Sequence, residues 1–151
     1  PRHKPLSKPR PVPVPAPPTP EERGEIAVAV HVPDGDGLKL ADGRRVRYIG
    51  IDAPEMRTWD DRTEPWAKEA RDLNRQLVEG QFVRLVRDQS ETDQYGRLLR
   101  YVYVGKTFVN AELVKAGLAY TINIPPDTAQ LDELEKVEES ARRARRGVWK
   151  K

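Results

Sequence analysis

The sequence contains no cysteine among its 151 residues. This absence excludes disulfides, thiolate metal ligands and a cysteine nucleophile, although it is compatible with oxidising and reducing compartments alike. Long hydrophobic runs are also missing: no stretch of about 18 apolar residues occurs, so the sequence predicts no membrane-spanning helix. Aromatic residues make up only 7% of the chain, which disfavours a plain strand-binding module that relies on a row of exposed rings.

An excess of charge of one sign is nearly absent as well. The formal net charge is +3, and residues 1–24 account for it, since they contain five basic and two acidic residues. The remainder of the chain is formally neutral. Net charge therefore does not indicate nucleic-acid binding, and any contact with phosphate has to come from a few well-placed arginines and a metal ion.

Proline divides the chain into two regions. Nine of the fourteen prolines lie in residues 1–20, a composition typical of an extended, polyproline-like segment. We interpret residues 1–24 as a tail or linker, with a ligand for a proline-recognising domain as the alternative. Residues 25–151 are long enough for one folded domain.

Apolar periodicity predicts five strands and about three helices. Apolar residues alternate with polar or small ones in residues 26–32, 38–40, 46–49, 81–87 and 97–104, which is typical of half-buried strands. Helical spacing and end signals predict helices from Trp66 to Gly80, from Phe108 to Lys115 and over residues 128–146. We therefore expect an α+β fold that is mainly β, a five-stranded Greek-key barrel of the OB type.

Three charged segments lie beside the predicted strands. Asp34-Gly35-Asp36 follows the first strand, residues 47–55 run from a strand into Asp-Ala-Pro-Glu, and residues 92–97 form a turn. Within the second segment, Arg47 shares a strand face with Ile49, so we expect it to point inward and to need an anion. Taken singly, each segment is more typical of an ordinary turn or a structural ion pair.

Taken together, the three segments supply the groups that one reaction requires. Asp36 and Asp52 offer hard oxygen ligands suited to calcium. Glu55 is a further carboxylate that is able to handle a water proton. Arg47 and Arg97 supply planar guanidinium groups for phosphate oxygens. This combination is typical of a metal-assisted phosphodiester hydrolase.

The same segments carry a resemblance to the thermonuclease family, the proteins of the staphylococcal-nuclease type. The shared motifs are D-G-D at 34–36, R-x-x-x-x-D-x-P-E at 47–55, T-D-x-Y-G-R at 92–97, V-N-A-E-L-V-K-A-G-L-A at 109–119 and G-V-W at 147–149. Five segments in the same order make a chance match improbable. Only the proline-rich tail lies outside the resemblance.

The resemblance implies a calcium cofactor and a role for each matching residue. One calcium ion would sit on the carboxylates of Asp36 and Asp52 and on the backbone carbonyl of Ala53. Glu55 would act on the attacking water. All these positions are present in the sequence.

The resemblance also implies how the substrate is held. Arg47 and Arg97 would bind the phosphate and stabilise the charge that develops as the leaving group departs, and Tyr95 would contact the substrate. The substrates would be DNA and RNA, preferably single-stranded or frayed, and the products would carry 3′-phosphate ends. We expect a monomer. A calcium site with few protein ligands is weak, which suits a secreted or periplasmic protein.

The sequence departs from the family pattern at the edges of the expected site. Gly37 follows D-G-D where threonine is usual, and Gln94 stands where a basic residue is frequent. Two tyrosines that line the family's nucleotide pocket are missing near Asn123 to Pro125. The alternative function is a catalytically silent OB-fold module that binds nucleic acid or a peptide. Because silent relatives typically lose an aspartate or an arginine of the site, full retention here favours the enzyme.

Overall fold

A computed structural model describes residues 24–57, 59–60 and 62–150. The predicted tail therefore lies outside the described residues, apart from Gly24, and its extended form stays a prediction. The strands are β1 (Glu25–His31), β2 (Gly37–Leu40), β3 (Arg45–Tyr48), β4 (Ile51–Asp52), β5 (Phe82–Val86), β6 (Leu98–Val104), β7 (Thr107–Phe108) and β8 (Tyr120–Thr121). The helices are α1 (Ala67–Val78), α2 (Val109–Lys115) and α3 (Leu131–Arg143), and a 3₁₀ turn follows at Gly147–Trp149.

Five of the strands close into a barrel. Strands β3, β2, β1, β5 and β6 are hydrogen-bonded neighbours in that order, and each of these contacts is antiparallel. Parallel pairing of β3 with β6, in which Val46 lies opposite Leu98, closes the sheet on itself. The predicted five-stranded barrel with three helices is therefore confirmed.

Apolar side chains from alternate positions of the strands fill the barrel. Inward-facing residues of the five strands are almost completely buried; they include Ala29, Leu38, Leu40, Val46, Tyr48, Val83, Leu85 and Val102. Residues from α1, α2 and α3 join the same cluster, so the helices cover the barrel and complete one core. Burial of this apolar surface is the main force that holds the strand ends and their loops in place.

The structure corrects several predicted boundaries. The third helix was predicted over residues 128–146 but occupies only Leu131–Arg143. Residues 124–128 instead form hydrogen-bonded turns, and Arg145 has a positive φ of 54° that ends the helical conformation. The three two-residue strands β4, β7 and β8 were not predicted, because pairs this short leave no periodic signal. None of the described helices is long and apolar enough to cross a membrane.

Candidate active site

The predicted site residues meet in one cleft at the end of the barrel. A depression of about 560 Å³ is lined by Pro33, Asp34, Asp36, Arg47, Asp52, Ala53, Pro54, Glu55, Met56, Arg57 and Arg97. Both aspartates, Ala53, Glu55 and both arginines of the sequence prediction are among these residues. Tyr95 lies in a neighbouring depression that shares Arg47 and Arg97 with the cleft.

Close packing holds the loop between β1 and β2 that carries the first aspartate. A Cβ atom on Gly35 would lie 2.6 Å from the Cβ of Ala70 and 2.8 Å from the Cβ of Ala53. Only glycine therefore lets this loop approach α1 so closely. On the outer side of the loop, the backbone N–H of Asp36 donates to Oδ1 of Asp34 at 3.2 Å, a local bond that stabilises the turn.

The buried side-chain amide of Asn74 on α1 hydrogen-bonds the same loop. Asn74 has no exposed surface, and its Nδ2 donates to the carbonyls of Asp34 and Gly37, both at 3.0 Å. Its Oδ1 accepts a 2.7 Å hydrogen bond from the hydroxyl of Tyr48. The sequence analysis missed Asn74, since a single asparagine in a helix gives no sign of what it bonds.

The carboxylate of Asp36 is almost completely buried. It is 9% exposed, and its Oδ2 accepts a 2.8 Å hydrogen bond from the backbone N–H of Ala53 and lies 3.3 Å from Nη1 of Arg47. Burial raises the pKa of Asp36 to about 7, although the charge of Arg47 opposes this shift. A cation beside Asp36 would offset the same burial, so this carboxylate fits a metal ligand.

Arg47 links the two aspartates. Its Nη1 donates to the carbonyls of Ile51 at 2.9 Å and Tyr48 at 3.1 Å, while its Nη2 donates to Oδ1 of Asp52 at 3.3 Å. Together with the contact to Asp36, these bonds hold the guanidinium with little freedom, and its side chain is only 16% exposed. A cation fixed in this way is suited to meet an anionic phosphate oxygen.

The expected orientation of Arg47 was wrong. Val46 and Tyr48 alternate into the core, so Arg47 lies on the opposite face of β3. Ile49 is buried on that outer side, in a small cluster with Tyr101 and Tyr103. Arg47 is hydrogen-bonded to carbonyls and to a carboxylate, and it also lines a depression that contains Ile122 and Ile124. The prediction that Arg47 points inward was wrong because residues on the outer side of β3 are buried too, so the burial of Ile49 does not mark the core face.

The available oxygen ligands fit a hard cation. Asp52 ends β4, whose pairing with β8 places it opposite Tyr120, and its side chain is 56% exposed at the cleft. Among the described residues, no group of three or more His, Cys, Asp or Glu side chains lies close enough to hold a metal. A metal here would use two carboxylates, a carbonyl of Ala53 and water. Oxygen donors with several waters are suited to calcium or magnesium.

Glu55 stands at the cleft on a loop that is closed at its base. Its backbone carbonyl accepts from the N–H of Glu64 at 2.9 Å, and its own N–H donates to Oε1 of Glu64 at 2.9 Å. The Glu55 carboxylate makes no hydrogen bond or ion pair with any described residue. It is therefore available to a water in the cleft, whereas Glu64, which the sequence analysis missed, only holds the loop.

Arg97 is positioned by the turn that precedes it. Oδ2 of Asp93 accepts from its Nε at 2.6 Å, and Oδ1 of Asp93 accepts from the backbone N–H groups of Tyr95 at 2.9 Å and Arg97 at 3.0 Å. Burial tends to raise the pKa of Asp93, but these hydrogen bonds outweigh it and lower the pKa. The guanidinium of Arg97 lies over the ring of Tyr95, 5.5 Å from its centroid, and its terminal nitrogens make no hydrogen bond to a described residue, so they are available to a phosphate.

The neighbouring depression has an apolar floor. It measures about 290 Å³ and shares both arginines with the cleft. Ile122 and Ile124 line it in the region where the sequence lacks the expected tyrosines, and Tyr95 stands at its edge with 65% of its surface exposed. Flat apolar rings fit such a floor. Tyr101 and Tyr103 are almost fully buried and take no part in it.

Comparison with known proteins gives consistent matches over the folded region. A family model described as staphylococcal nuclease homologue matches residues 45–151. The chain is 34% identical over 123 residues to a thermonuclease of Staphylococcus hyicus, with 80% of this chain and 73% of that protein covered. A thermonuclease of Staphylococcus intermedius is 33% identical over 132 residues, with coverages of 85% and 79%. Endonuclease YncB of Bacillus subtilis is 33% identical over 123 residues, which cover 78% of this chain and 58% of that protein.

Proposed function

The chain belongs to the staphylococcal nuclease family and is a hydrolytic nuclease, and we propose that it is a calcium-dependent endonuclease acting on DNA and RNA. It prefers single-stranded or frayed substrates and leaves 3′-phosphate ends. It acts as a monomer, in a secreted or periplasmic setting. The single observation that supports metal-assisted phosphodiester hydrolysis is the cleft, which is lined by Asp36, Asp52 and Glu55 together with Arg47 and Arg97.

The oxygen ligands of the proposed metal are Asp36, Asp52 and the carbonyl of Ala53. When bound there, calcium supplies positive charge to a phosphate oxygen and makes a nearby water more acidic. Asp36 needs such a cation most, because it is buried and receives only one backbone hydrogen bond and the edge of Arg47. The Asp52 side chain is 56% exposed, so its carboxylate can exchange bound water for a metal ion without any change in the packing of the core.

The two arginines bind the scissile phosphate in this proposal. Arg47 is held by carbonyls and by both aspartates, and Arg97 by Asp93, so neither guanidinium has to be ordered when the substrate arrives. Charge accumulates on the phosphate oxygens as the fifth bond to phosphorus forms. Donors that are already aimed at those oxygens lower the barrier, because no reorganisation is needed at that moment.

Glu55 takes the proton of the attacking water. The water oxygen forms a bond to phosphorus, and the bond from phosphorus to the 5′-oxygen breaks, which leaves the phosphate on the 3′ side. The departing 5′-oxygen accepts a proton from solvent. The lack of a bonding partner for the Glu55 carboxylate supports this role, since a general base has to be free to reach the water.

The apolar depression receives the base beside the scissile phosphate. Ile122 and Ile124 offer dispersion contacts to any base, and Asp93, Gln94 and Asp127 add polar groups to the same depression. Tyr95 lines the same depression, which supports a contact between its ring and the sugar or the base.

Substitution kinetics test the proposal directly. Purified protein should degrade single-stranded DNA and RNA with calcium, and a chelator should stop the reaction. Arg47→Lys and Arg97→Lys should each lower kcat/KM by roughly two orders of magnitude or more, because an ammonium group cannot reproduce a two-pronged guanidinium contact. The matched control is Arg87→Lys, which alters an exposed ion pair with Glu91 outside the cleft and should keep wild-type rates.

The role of Glu55 needs a separate measurement. Glu55→Gln should lower turnover strongly while calcium binding, followed by calorimetry, persists, because Glu55 is not a proposed ligand. If this variant cuts as fast as the wild type, a different group handles the water. If the wild-type protein binds an oligonucleotide but never cuts it at any calcium concentration or pH, the silent binding module replaces the nuclease.

A further inference from the structure

A row of three basic side chains crosses the barrel next to the cleft. His31 on β1 lies opposite Lys39 on β2, and Lys39 lies opposite Arg45 on β3. All three residues are exposed. Neighbouring strands are about 4.8 Å apart, so the row spans about 10 Å across three strands. It follows one line perpendicular to the strands.

An irregularity in β1 places the first member of the row. Between Ala29 and His31 the register with β2 shifts, as in a β-bulge. Without this shift, His31 would share the inward face of Ala29, which is fully buried. With it, Val30 and His31 are both exposed and His31 stands beside Lys39. Bulges of this kind often redirect a side chain beside a functional site.

The row has no structural explanation in ion pairing. Like charges directly opposite one another on a sheet are destabilising, and no described carboxylate forms an ion pair with Lys39 or Arg45. The adjacent Arg44, in contrast, is paired with both Glu25 and Asp42 at 2.8 Å. Among the described residues, Arg45 Nη2 donates a 3.0 Å hydrogen bond to the carbonyl of Tyr95.

The row is continuous with the cleft. His31, Lys39 and Arg45 line a depression of about 320 Å³, and this depression shares Pro33, Asp34, Asp36 and Arg97 with the cleft. Asp34 and Asp36 form the common wall. The bond of Arg45 to the carbonyl of Tyr95 ties the row to the turn that carries Arg97. A chain of phosphates that passes through the cleft therefore meets the row directly.

We propose that His31, Lys39 and Arg45 form a second phosphate subsite, which holds the nucleic-acid strand one or more nucleotides away from the scissile bond. This inference rests on the proposed nuclease function and extends it to substrates longer than a dinucleotide. The subsite neutralises phosphate charge and carries no base recognition. It supplies the electrostatic contact with the strand that the neutral net charge of the domain lacks.

Two substrates of different length test the subsite. A thymidine dinucleotide has only the scissile phosphate, whereas a single-stranded DNA of twelve nucleotides also reaches the row. For the 12-mer, Lys39→Ala should raise KM about fivefold, and the double variant Lys39→Ala/Arg45→Ala should raise it more than tenfold, the range expected for exposed ion pairs. The dinucleotide should give wild-type kcat and KM with Lys39→Ala, because Lys39 makes no hydrogen bond to the turn that carries Tyr95 and Arg97.

The salt dependence of substrate affinity provides a second test of the same subsite. Each single-strand phosphate contact contributes about 0.7 to the slope of log affinity against log salt, so the double variant should lose about 1.4 from the slope. The matched control is Lys106→Ala/Lys115→Ala, which removes the same charge from exposed positions that line neither depression. This control should leave KM for the 12-mer and its salt slope unchanged.

The KM values of the two substrates distinguish a phosphate subsite from a defect in the cleft or in folding. An equal rise of KM for both substrates would place the effect in the cleft or in folding and would overturn the subsite, as would unchanged KM and slope for the 12-mer. Lys39→Ala, which removes no hydrogen bond to a described residue, guards against a folding defect in the double variant. If wild-type protein cuts neither substrate, the nuclease mechanism fails, and fluorescence anisotropy of a labelled 12-mer still tests the row.

Discussion

Replacing Asn74 should weaken both the fold and the proposed calcium binding, because this buried amide holds the loop that carries Asp36. The change Asn74→Ala removes three hydrogen bonds, one from the Tyr48 hydroxyl and two to the carbonyls of Asp34 and Gly37. At about 1 kcal/mol of net stability for each bond, the loss is about 3 kcal/mol. This is a large part of the roughly 5–15 kcal/mol typical of a domain.

Part of that loss should appear in the metal site. If about 1.4 kcal/mol of the lost bonding is needed to keep the loop in its binding conformation, the dissociation constant for calcium rises about tenfold. Urea unfolding gives the stability change, and calorimetry with calcium gives the affinity. Asn74→Asp, which keeps the acceptor for Tyr48 but lacks both donors, should separate the loop contacts from the tyrosine contact.

A second buried asparagine provides the control. Asn110 is also fully buried and makes two hydrogen bonds, from the N–H of Val102 at 2.9 Å and to the carbonyl of Ile49 at 2.8 Å. Asn110→Ala should cost about 2 kcal/mol of stability and leave calcium affinity unchanged. If Asn74→Ala lowers stability without changing calcium affinity, the loop does not depend on the amide and the reasoning is refuted.

Three further changes give independent tests. Asp127 accepts hydrogen bonds from the backbone N–H groups of Gln89 and Ser90. Burial tends to raise the pKa of Asp127, but these hydrogen bonds outweigh burial and lower the pKa. The ionised carboxylate therefore stabilises the fold at neutral pH, and this contribution is lost as the pH falls below about 4. Asp127→Asn should therefore be less stable at pH 7 yet lose less stability on acidification, and parallel wild-type and variant curves would contradict this. Gly35→Ala should cost roughly 1–3 kcal/mol, measured by thermal unfolding, since its Cβ would clash with two neighbours. Deletion of residues 1–20 should leave the melting temperature and specific activity nearly unchanged, and a large loss of either would make the tail part of the fold or the site.

The sequence by itself determined the fold class and the principal residues of the cleft. Period-2 alternation predicted all five barrel strands, because every second side chain of a closed sheet points inward and is apolar. The carboxylates and arginines were found because their segments keep a fixed order and spacing. Asp93 was also within reach of the sequence, since an aspartate three residues before Gly96 is a common turn former, although its role in holding Arg97 was not recognised.

Only the tertiary structure decided what surrounds these residues. Asn74 lies about 40 residues from the loop that it holds, and Glu64 lies across a loop from Glu55; no local pattern marks such partners. Arg47 was expected on the wrong side because Ile49, two residues later, is apolar but is buried in a separate cluster with Tyr101 and Tyr103. The row of His31, Lys39 and Arg45 exists only because three strands pair in one register and a bulge turns His31 outward. Periodicity reports which face a residue occupies, whereas contacts between faces depend on how the strands pair.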